Sequence, residues 1–403
     1  MRAGRWLAVS GAVILSLISG MPALAASPPV PPPPPVIAGT AAILENLTTG
    51  QVLYAKNPNL PLAPASITKI MTALVALRYG PPLAQMISVP AAAYHTPGST
   101  VYLVPGQRMT FGDLLYGLIL RSGNDAAVAV AILTAGSVQR FVAMMNATCH
   151  QLGCTGTTFK NPDGLPAAGH LVTAHDMALI TRAAMASAAF RRIVATRAWL
   201  FPGFPSPVTL VNEDQMLWRY PGAIGVKIGW TTPAGETIVS VARRNGITLV
   251  AVVLHSIYRR LWADPTALLN WGFANFRQVP LVRQGQVVAT ETVAGQVEPL
   301  VADQSLPWLL PAGQSVGAVQ TRLVVGPASH GRGVLAVAIG GQSLGTVPVS
   351  IAGGGSRTPG WHRPAAVVLL TAVGSWMVWP HRRQRRRWRR RRVKRTAGEE
   401  LLE

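Results

Sequence analysis

Residues 62–74 read Leu-Ala-Pro-Ala-Ser-Ile-Thr-Lys-Ile-Met-Thr-Ala-Leu, and both the fold and the chemistry of this 403-residue chain can be argued from them. Ser66 and Lys69 are three residues apart, so one helical turn places a hydroxyl beside an amine. A lysine that loses its charge on burial can take the serine proton and make that serine a nucleophile. The tetrapeptide alone is weak evidence, because Ser-x-x-Lys arises by chance in many chains.

Two further short motifs lie downstream of this pair. They are Ser122-Gly-Asn124 and Lys227-Ile-Gly229. Each alone has an ordinary explanation, since Ser-Gly-Asn suits a turn and a strand lysine is usually solvated. The ordered combination of the three motifs is a much stronger signal than any one of them, and it supports Ser66 as a nucleophile with Lys69 as its base. The histidines lack the context of a Ser-His-Asp triad, and we expect His175 to lie on a helix surface.

The net charge of +21 is concentrated at the C-terminus, where residues 382–395 hold ten arginines and one lysine and no acidic residue. The rest of the chain is moderately basic, which suits an acidic polymer such as a cell wall and suits solubility equally well. The tail follows an apolar stretch with tryptophans at its ends. A cytoplasmic tail behind a membrane anchor explains both features, whereas a nucleic-acid patch or a solvated tail explains only the charge.

The N-terminus has the pattern of a secretory signal, with Arg2 and Arg5 before an apolar run and Ala23-Leu-Ala25 after it. The alternative is an uncleaved anchor. A proline-rich spacer follows. The predicted segments are a signal peptide (1–25), a Pro-rich linker (26–37), a catalytic domain (38–276), a β-rich C-terminal domain (277–352), a linker (353–362), a transmembrane anchor (363–380) and a basic cytoplasmic tail (381–403).

Helices and strands alternate irregularly in the predicted catalytic domain. The patterns predict helices over 64–79, 111–120, 137–151 and 173–186, the last with Thr173 as N-cap. They predict strands in 41–54 with a Thr-Thr-Gly turn, and at 225–229, 237–242 and 249–254, with Asn245-Gly246 at a hairpin tip. Beyond residue 277, short alternating runs predict a small β-sandwich.

Only two cysteines occur, Cys149 and Cys154. Outside the cytoplasm they can pair across a helix end, and they can equally be two small buried hydrophobic residues. A metal site is not expected here, because one histidine between two cysteines lacks the usual four-ligand spacing.

The sequence resembles the serine-type D-alanyl-D-alanine carboxypeptidases, the low-molecular-weight penicillin-binding proteins, over about residues 38–350. The resemblance implies an α+β fold: a β-lactamase/DD-peptidase-like domain with an antiparallel sheet flanked by helices, followed by the β-sandwich and the transmembrane helix. The segments that carry it are 64–72, 120–127, 141–146, 159–165, 173–178 and 218–231.

The resemblance also implies roles for individual residues. Ser66 would form the acyl-enzyme, Lys69 would be its general base, and Ser122 would relay a proton to the leaving amine. The backbone N–H groups of Ser66 and Trp230 would form the oxyanion hole. The predicted substrate-binding residues are Asn124, Lys227, Gly229, Trp230 and Thr231. No metal or cofactor is expected.

The implied activity is removal of the terminal D-alanine from peptidoglycan stem peptides at the extracytoplasmic face of the bacterial cell membrane. β-Lactams are expected as further ligands, and nucleic acid is not expected as a partner. The rivals are a serine β-lactamase, disfavoured because no Glu-containing loop stands out as a deacylation base, and a catalytically weak wall scaffold. Ile228 stands where the family usually has threonine, so we expect weakened carboxylate recognition unless Thr231 or Thr232 compensates. Asp163 stands where histidine is common, in a loop expected to be structural.

Overall fold

A computed structural model describes residues 32–293, 296–314, 319–324, 332–339 and 342–351. The predicted signal peptide, residues 26–31 of the linker, the second linker, the anchor and the basic tail lie outside the described residues.

Sixteen strands are assigned within the described residues. They are β1 (Ala41–Asn46), β2 (Val52–Lys56), β3 (Met86–Ser88), β4 (Arg108–Thr110), β5 (Ala198–Phe201), β6 (Val208–Val211), β7 (Ala223–Thr231), β8 (Gly235–Arg244), β9 (Ile247–Ser256), β10 (Phe276–Val282), β11 (Val287–Val293), β12 (Gln296–Ala302), β13 (Leu306–Pro311), β14 (Val319–Val324), β15 (Arg332–Ile339) and β16 (Gln342–Ile351).

The α-helices of the same part of the chain are α1 (Lys69–Tyr79), α2 (Phe111–Leu120), α3 (Asn124–Ala135), α4 (Val138–Leu152), α5 (Ala174–Met185), α6 (Ala188–Ala195), α7 (Met216–Arg219) and α8 (Ala263–Asn275). A 3-10 turn, Ala65–Thr68, leads directly into α1. Thr173 caps α5 as predicted, since its hydroxyl accepts the N–H of Asp176.

The central sheet is antiparallel, in the order β2-β1-β9-β8-β7. The predicted hairpins are confirmed: β1 and β2 join at the Thr-Thr-Gly turn, and Asn245 and Gly246, both with positive φ, turn β8 into β9. Strand β7 lies at the edge, so one row of its N–H and C=O groups is not used by β8.

Both faces of this sheet are covered, which explains why its central strands are almost wholly apolar. One face packs against α1 to α6 through residues such as Ile43, Val239 and Val252. The other packs against α8 through Leu44, Ile238 and others. Helix α1 runs through the first of these layers and is buried from Lys69 to Ala76, so its first residue is shielded from water although it lies at the start of the helix.

The β-rich segment contains a five-stranded sheet, in the order β11-β12-β16-β15-β14, and the pair β10–β13. Gln51, beside β2, fixes this region to the central sheet: its amide nitrogen donates to the Leu309 carbonyl (2.7 Å) and its amide oxygen accepts the Leu309 N–H (2.8 Å). The α+β class with helices flanking an antiparallel sheet is confirmed, whereas the sandwich packing stays a prediction.

Cys149 and Cys154 form a disulfide bond across the C-terminal end of α4, where Gly153 takes a left-handed conformation. The first of the two alternatives for these cysteines is therefore the one the structure adopts. Within the described ranges, no single helix has the length and hydropathy of a membrane span; α3 and α4 meet that test only as a pair bent by 84°.

Candidate active site

A cleft of about 360 Å³ opens where the Ala65–Thr68 turn, the start of α3, a loop at 161–165 and the end of β7 converge. Its lining residues are Ser66, Gly98, Ser99, Asn124, Asp163, Gly164, Leu165, Pro166, Trp230, Thr231, Thr232 and Pro233. The structure thus gathers Ser66, Asn124, Trp230 and Thr231, as predicted. Lys69, Ser122 and Lys227 are buried and do not line the cleft surface.

The Lys69 amine is the centre of the site. Its Nζ lies 3.0 Å from Ser66 Oγ, 2.7 Å from Asn124 Oδ1 and 2.6 Å from the backbone oxygen of Asp163. Burial, followed by the nearby charge of Lys227, lowers the pKa of Lys69 to about 7. A neutral amine is therefore available near neutral pH.

The three contacts of Lys69 match what a neutral amine can make. Its two N–H groups can donate to the oxygens of Asn124 and Asp163, which accept only. Its lone pair is then left facing the Ser66 hydroxyl, which can donate to it. The site therefore orients the amine as a base toward Ser66.

Ser122 and Asn124 lie at the junction of α2 and α3. Ser122 is buried and has a φ of 57°, a left-handed conformation that costs a non-glycine residue on the order of 1 kcal/mol. The backbone N–H of Asn124 donates to the Ser99 carbonyl (2.7 Å), and its side-chain Nδ2 donates to the Pro97 carbonyl (2.6 Å). Asn124 thus connects Lys69 to residues 97–99, which lie along one wall of the cleft.

Asp125 extends this tie, and the sequence reasoning did not single it out. The carboxylate is buried and accepts the backbone N–H groups of Val101 (3.1 Å) and Leu103 (3.0 Å). These bonds hold the same wall farther along the chain. The acidic residue after Ser-Gly-Asn was a visible signal, but its partners are 22 and 24 residues away.

Lys227 is buried on β7, close to the carboxyl groups of Glu213 and Asp214. Burial lowers the pKa of Lys227, and the two carboxyl groups oppose that shift. Burial in turn raises the pKa of Asp214 to about 6. The sequence predicted Lys227 as a site residue but did not single out Glu213 and Asp214, which lie in the segment after β6.

The backbone at the nucleophile packs tightly against β7. A Cβ added to Gly229 would lie 2.6 Å from the Ser66 nitrogen, so only glycine allows this approach. Thr237, opposite Gly229 in the sheet, has its hydroxyl within hydrogen-bond distance of the Gly229 and Pro64 carbonyls. The Ser66 nitrogen therefore lies against β7 one residue before Trp230, whose N–H is the second oxyanion-hole donor that the resemblance implies.

The position of Ile228 argues against the expected weakening of carboxylate recognition. Its neighbours along β7, Lys227 and Gly229, alternate with it in facing direction. The Ile228 side chain packs with the apolar cluster beneath the sheet and is paired with Ile238, on the face opposite α1. Thr231 and Thr232, by contrast, line the cleft. The isoleucine therefore does not take a hydroxyl away from the cleft.

We expect Ile228→Thr to leave kcat/KM within about threefold of the unchanged protein and to lower the free energy of unfolding by about 1 kcal/mol, since a hydroxyl replaces apolar volume in a packed cluster. Denaturant titration and steady-state kinetics measure the two effects. Ile228→Val is the matched control and should lose less stability. A rise in kcat/KM of about tenfold would show that the hydroxyl reaches the substrate after all.

Two other expectations also change. The loop containing Asp163 was expected to be only structural, yet its backbone oxygen binds the Lys69 amine. A Cβ on Gly164 would lie 1.9 Å from the Ala65 carbonyl oxygen, so this loop also touches the nucleophile turn. His175, expected on a helix surface, is half-buried on α5, with Nδ1 3.5 Å from Asp176 Oδ1.

Comparisons with known proteins identify the family of the chain. Residues 27–257 match the model of the D-alanyl-D-alanine carboxypeptidase family, peptidase S11. The chain belongs to this family, which confirms the resemblance inferred from the motifs.

Two curated relatives and one solved structure illustrate the similarity. The chain is 36% identical over 255 residues to D-alanyl-D-alanine carboxypeptidase DacF of Bacillus subtilis, covering 62% of this chain and 66% of that protein. It is 38% identical over 238 residues to DacB2 of Mycobacterium tuberculosis, covering 58% and 81%. Penicillin binding protein 5 of Haemophilus influenzae has a similar structure, with a TM-score of 0.68, 27% identity and coverage of 79% and 98%.

Proposed function

We propose that this protein removes the terminal D-alanine from peptidoglycan stem peptides through an acyl-enzyme on Ser66. One observation carries the proposal: a buried lysine amine with a pKa of about 7 lies 3.0 Å from a serine hydroxyl at the edge of a cleft. The family and the relatives named above support the same reaction.

In the first half-reaction, Ser66 Oγ attacks the carbonyl between the two D-alanines while Lys69 takes its proton. The backbone N–H groups of Ser66 and Trp230 would stabilise the oxyanion. The proton then passes to the leaving amine, with Ser122 as the relay. The free D-alanine departs, and the rest of the peptide remains as an ester on Ser66.

Substrate selection depends on the terminal carboxylate. Lys227 would supply a positive charge from within β7, and Thr231 and Thr232, which line the cleft, would add hydroxyl donors. The charge of Lys227 has two effects, because it attracts the anionic substrate and lowers the pKa of Lys69. An ester or amide without this carboxylate should be a poor substrate.

The test is D-alanine release from a pentapeptide ending in D-Ala-D-Ala, alongside labelling by a fluorescent penicillin. Release together with labelling is the expected result. Labelling without release would favour the catalytically weak wall protein. Rapid hydrolysis of the penicillin itself would favour the β-lactamase.

We further propose that the catalytic domain lies outside the cell membrane and that residues 363–380 anchor it there as a transmembrane helix. The apolar run and the arginines behind it support this topology. A chain ending at Gly360 should then be released into the medium with unchanged activity, as measured by fractionation and penicillin labelling. If this shorter chain still sediments with membranes, the anchor lies at an uncleaved N-terminal segment instead.

A further inference from the structure

The cleft wall includes an aspartate whose carboxyl group the first half-reaction does not use. Asp163 lines the cleft together with Ser66 and Asn124, although only 5% of the residue is exposed. Its backbone oxygen and Ser66 Oγ both contact Lys69 Nζ, so the residue lies next to the nucleophile.

The loop around Asp163 is held in place by hydrogen bonds on both sides. The Thr72 hydroxyl donates to the Pro162 carbonyl (2.6 Å), which fixes the loop to α1. Asn161 closes it from within: its side chain accepts the Gly164 N–H (2.8 Å) and donates to the Leu165 carbonyl (2.9 Å). A group on this loop is therefore fixed relative to Ser66, as a base acting on a small molecule must be.

The carboxyl itself is oriented and only partly solvated. Asp163 Oδ1 accepts the Leu165 N–H at 2.8 Å, which sets its rotation. Burial raises the pKa of Asp163 above its usual range, while the Leu165 N–H and the nearby Lys69 oppose that shift. Such a carboxylate is a stronger base than a solvated aspartate.

We propose that the Asp163 carboxylate is the general base of the second half-reaction, an inference that rests on the proposed function. Asp163 takes a proton from a water molecule as the water oxygen bonds to the acyl carbon of the Ser66 ester. The bond between that carbon and Ser66 Oγ then breaks. The proton held by Asp163 passes to Ser66 Oγ directly or through Lys69, so the products are the free peptide acid and the regenerated enzyme.

The division of labour explains why two bases are present. Lys69 contacts Ser66 Oγ, so it serves the step in which that oxygen loses its proton. In the acyl-enzyme this oxygen belongs to the ester, and the proton to be removed is on water. Asp163 belongs to the 161–165 loop, whereas Lys69 is the first residue of α1, so the two bases are held by different segments.

The test separates the two half-reactions with a diacetylated L-lysyl-D-alanyl-D-alanine peptide and rapid mixing. Asp163→Asn keeps the size of the side chain and an oxygen for the Leu165 N–H, but it removes the base. We expect its first turnover to stay within about threefold of the unchanged protein, and its later turnovers to slow by about 100-fold or more. One equivalent of D-alanine per enzyme should appear as a burst, with the acyl-enzyme visible by mass spectrometry.

Asp163→His is the second variant, since imidazole can also act as a base. It should restore steady-state turnover above a pH of about 6.5, where the imidazole is neutral. If Asp163→Asn shows no burst and turns over at the unchanged rate, water is activated elsewhere. If first and later turnovers fall equally, Asp163 acts only by positioning Lys69. Either result overturns the proposal.

Failure of the proposed function would look different. In that case the unchanged protein itself would release no D-alanine and form no acyl-enzyme, which would remove the role of Asp163 as well. An unchanged protein that turns over normally, together with an Asp163→Asn variant lacking a burst, overturns only the inference about the base.

Discussion

Ser66→Ala should abolish covalent labelling by penicillin and lower D-alanine release by about 10⁴-fold or more, because the variant has no atom that can form the ester. In the unchanged protein, mass spectrometry of the penicillin adduct should place the added mass on the peptide containing Ser66. Ser122 is not expected to take over as nucleophile, because it is buried and does not line the cleft.

Ser99→Ala is the matched control for this loss. Ser99 lines the same cleft, and the structural role it has there is carried by its backbone oxygen, which accepts the Asn124 N–H. Its variant should label at close to the unchanged rate. An adduct on any peptide without Ser66, or full labelling of Ser66→Ala, would contradict the assignment of the nucleophile.

Lys69→Met should slow acylation by about 10²–10⁴-fold, the usual contribution of a positioned general base. The pH dependence identifies the group. Only the neutral amine can accept a proton, and the pKa of Lys69 is lowered to about 7. In the unchanged protein, the acylation rate should therefore rise about tenfold per pH unit below pH 7 and level off above it. Stopped-flow measurement with penicillin gives this profile.

The Lys69→Met variant should acylate slowly at every pH, and its acylation rate should no longer rise with pH below pH 7. At high pH the acylation rate of the unchanged protein should fall again as Lys227 loses its charge. This fall should begin at a pH below the ordinary pKa of lysine, because the pKa of Lys227 is lowered. Lys160→Met, at an exposed lysine, is the control and should keep both limbs. A profile that is flat between pH 5 and 9 would show that Lys69 is not the base.

Local signals predicted most of the fold. The Asn245-Gly246 turn fixed the β8–β9 hairpin, and Thr173 fixed the start of α5, because turn chemistry and capping act over a few residues. The Ser66–Lys69 spacing placed hydroxyl and amine correctly, although the serine lies on a 3-10 turn and the α-helix begins at Lys69 itself.

What the sequence could not supply were contacts between residues far apart in the chain. The Asp163 carbonyl reaches Lys69 across 94 positions, and Thr237 reaches Pro64 across 173. The left-handed backbone of Ala65 has no signal of its own, since alanine rarely takes that conformation. The expectation of weakened recognition at Ile228 did not use strand alternation, which already turns its side chain away from the face of Lys227 and Gly229.

Strand β1 sits inside the central sheet, and its neighbour β9 begins about two hundred residues later, at Ile247. The N–H groups of Ala38 and Gly39 donate to the carboxylate of Asp264, which is synthesised later still. At ordinary rates of synthesis, roughly 10–50 s pass between the first of these segments and the last. During that time β1 has no β9 to pair with, so the central sheet cannot form until most of the catalytic domain has been synthesised. We expect its apolar strands to be exposed over the same interval.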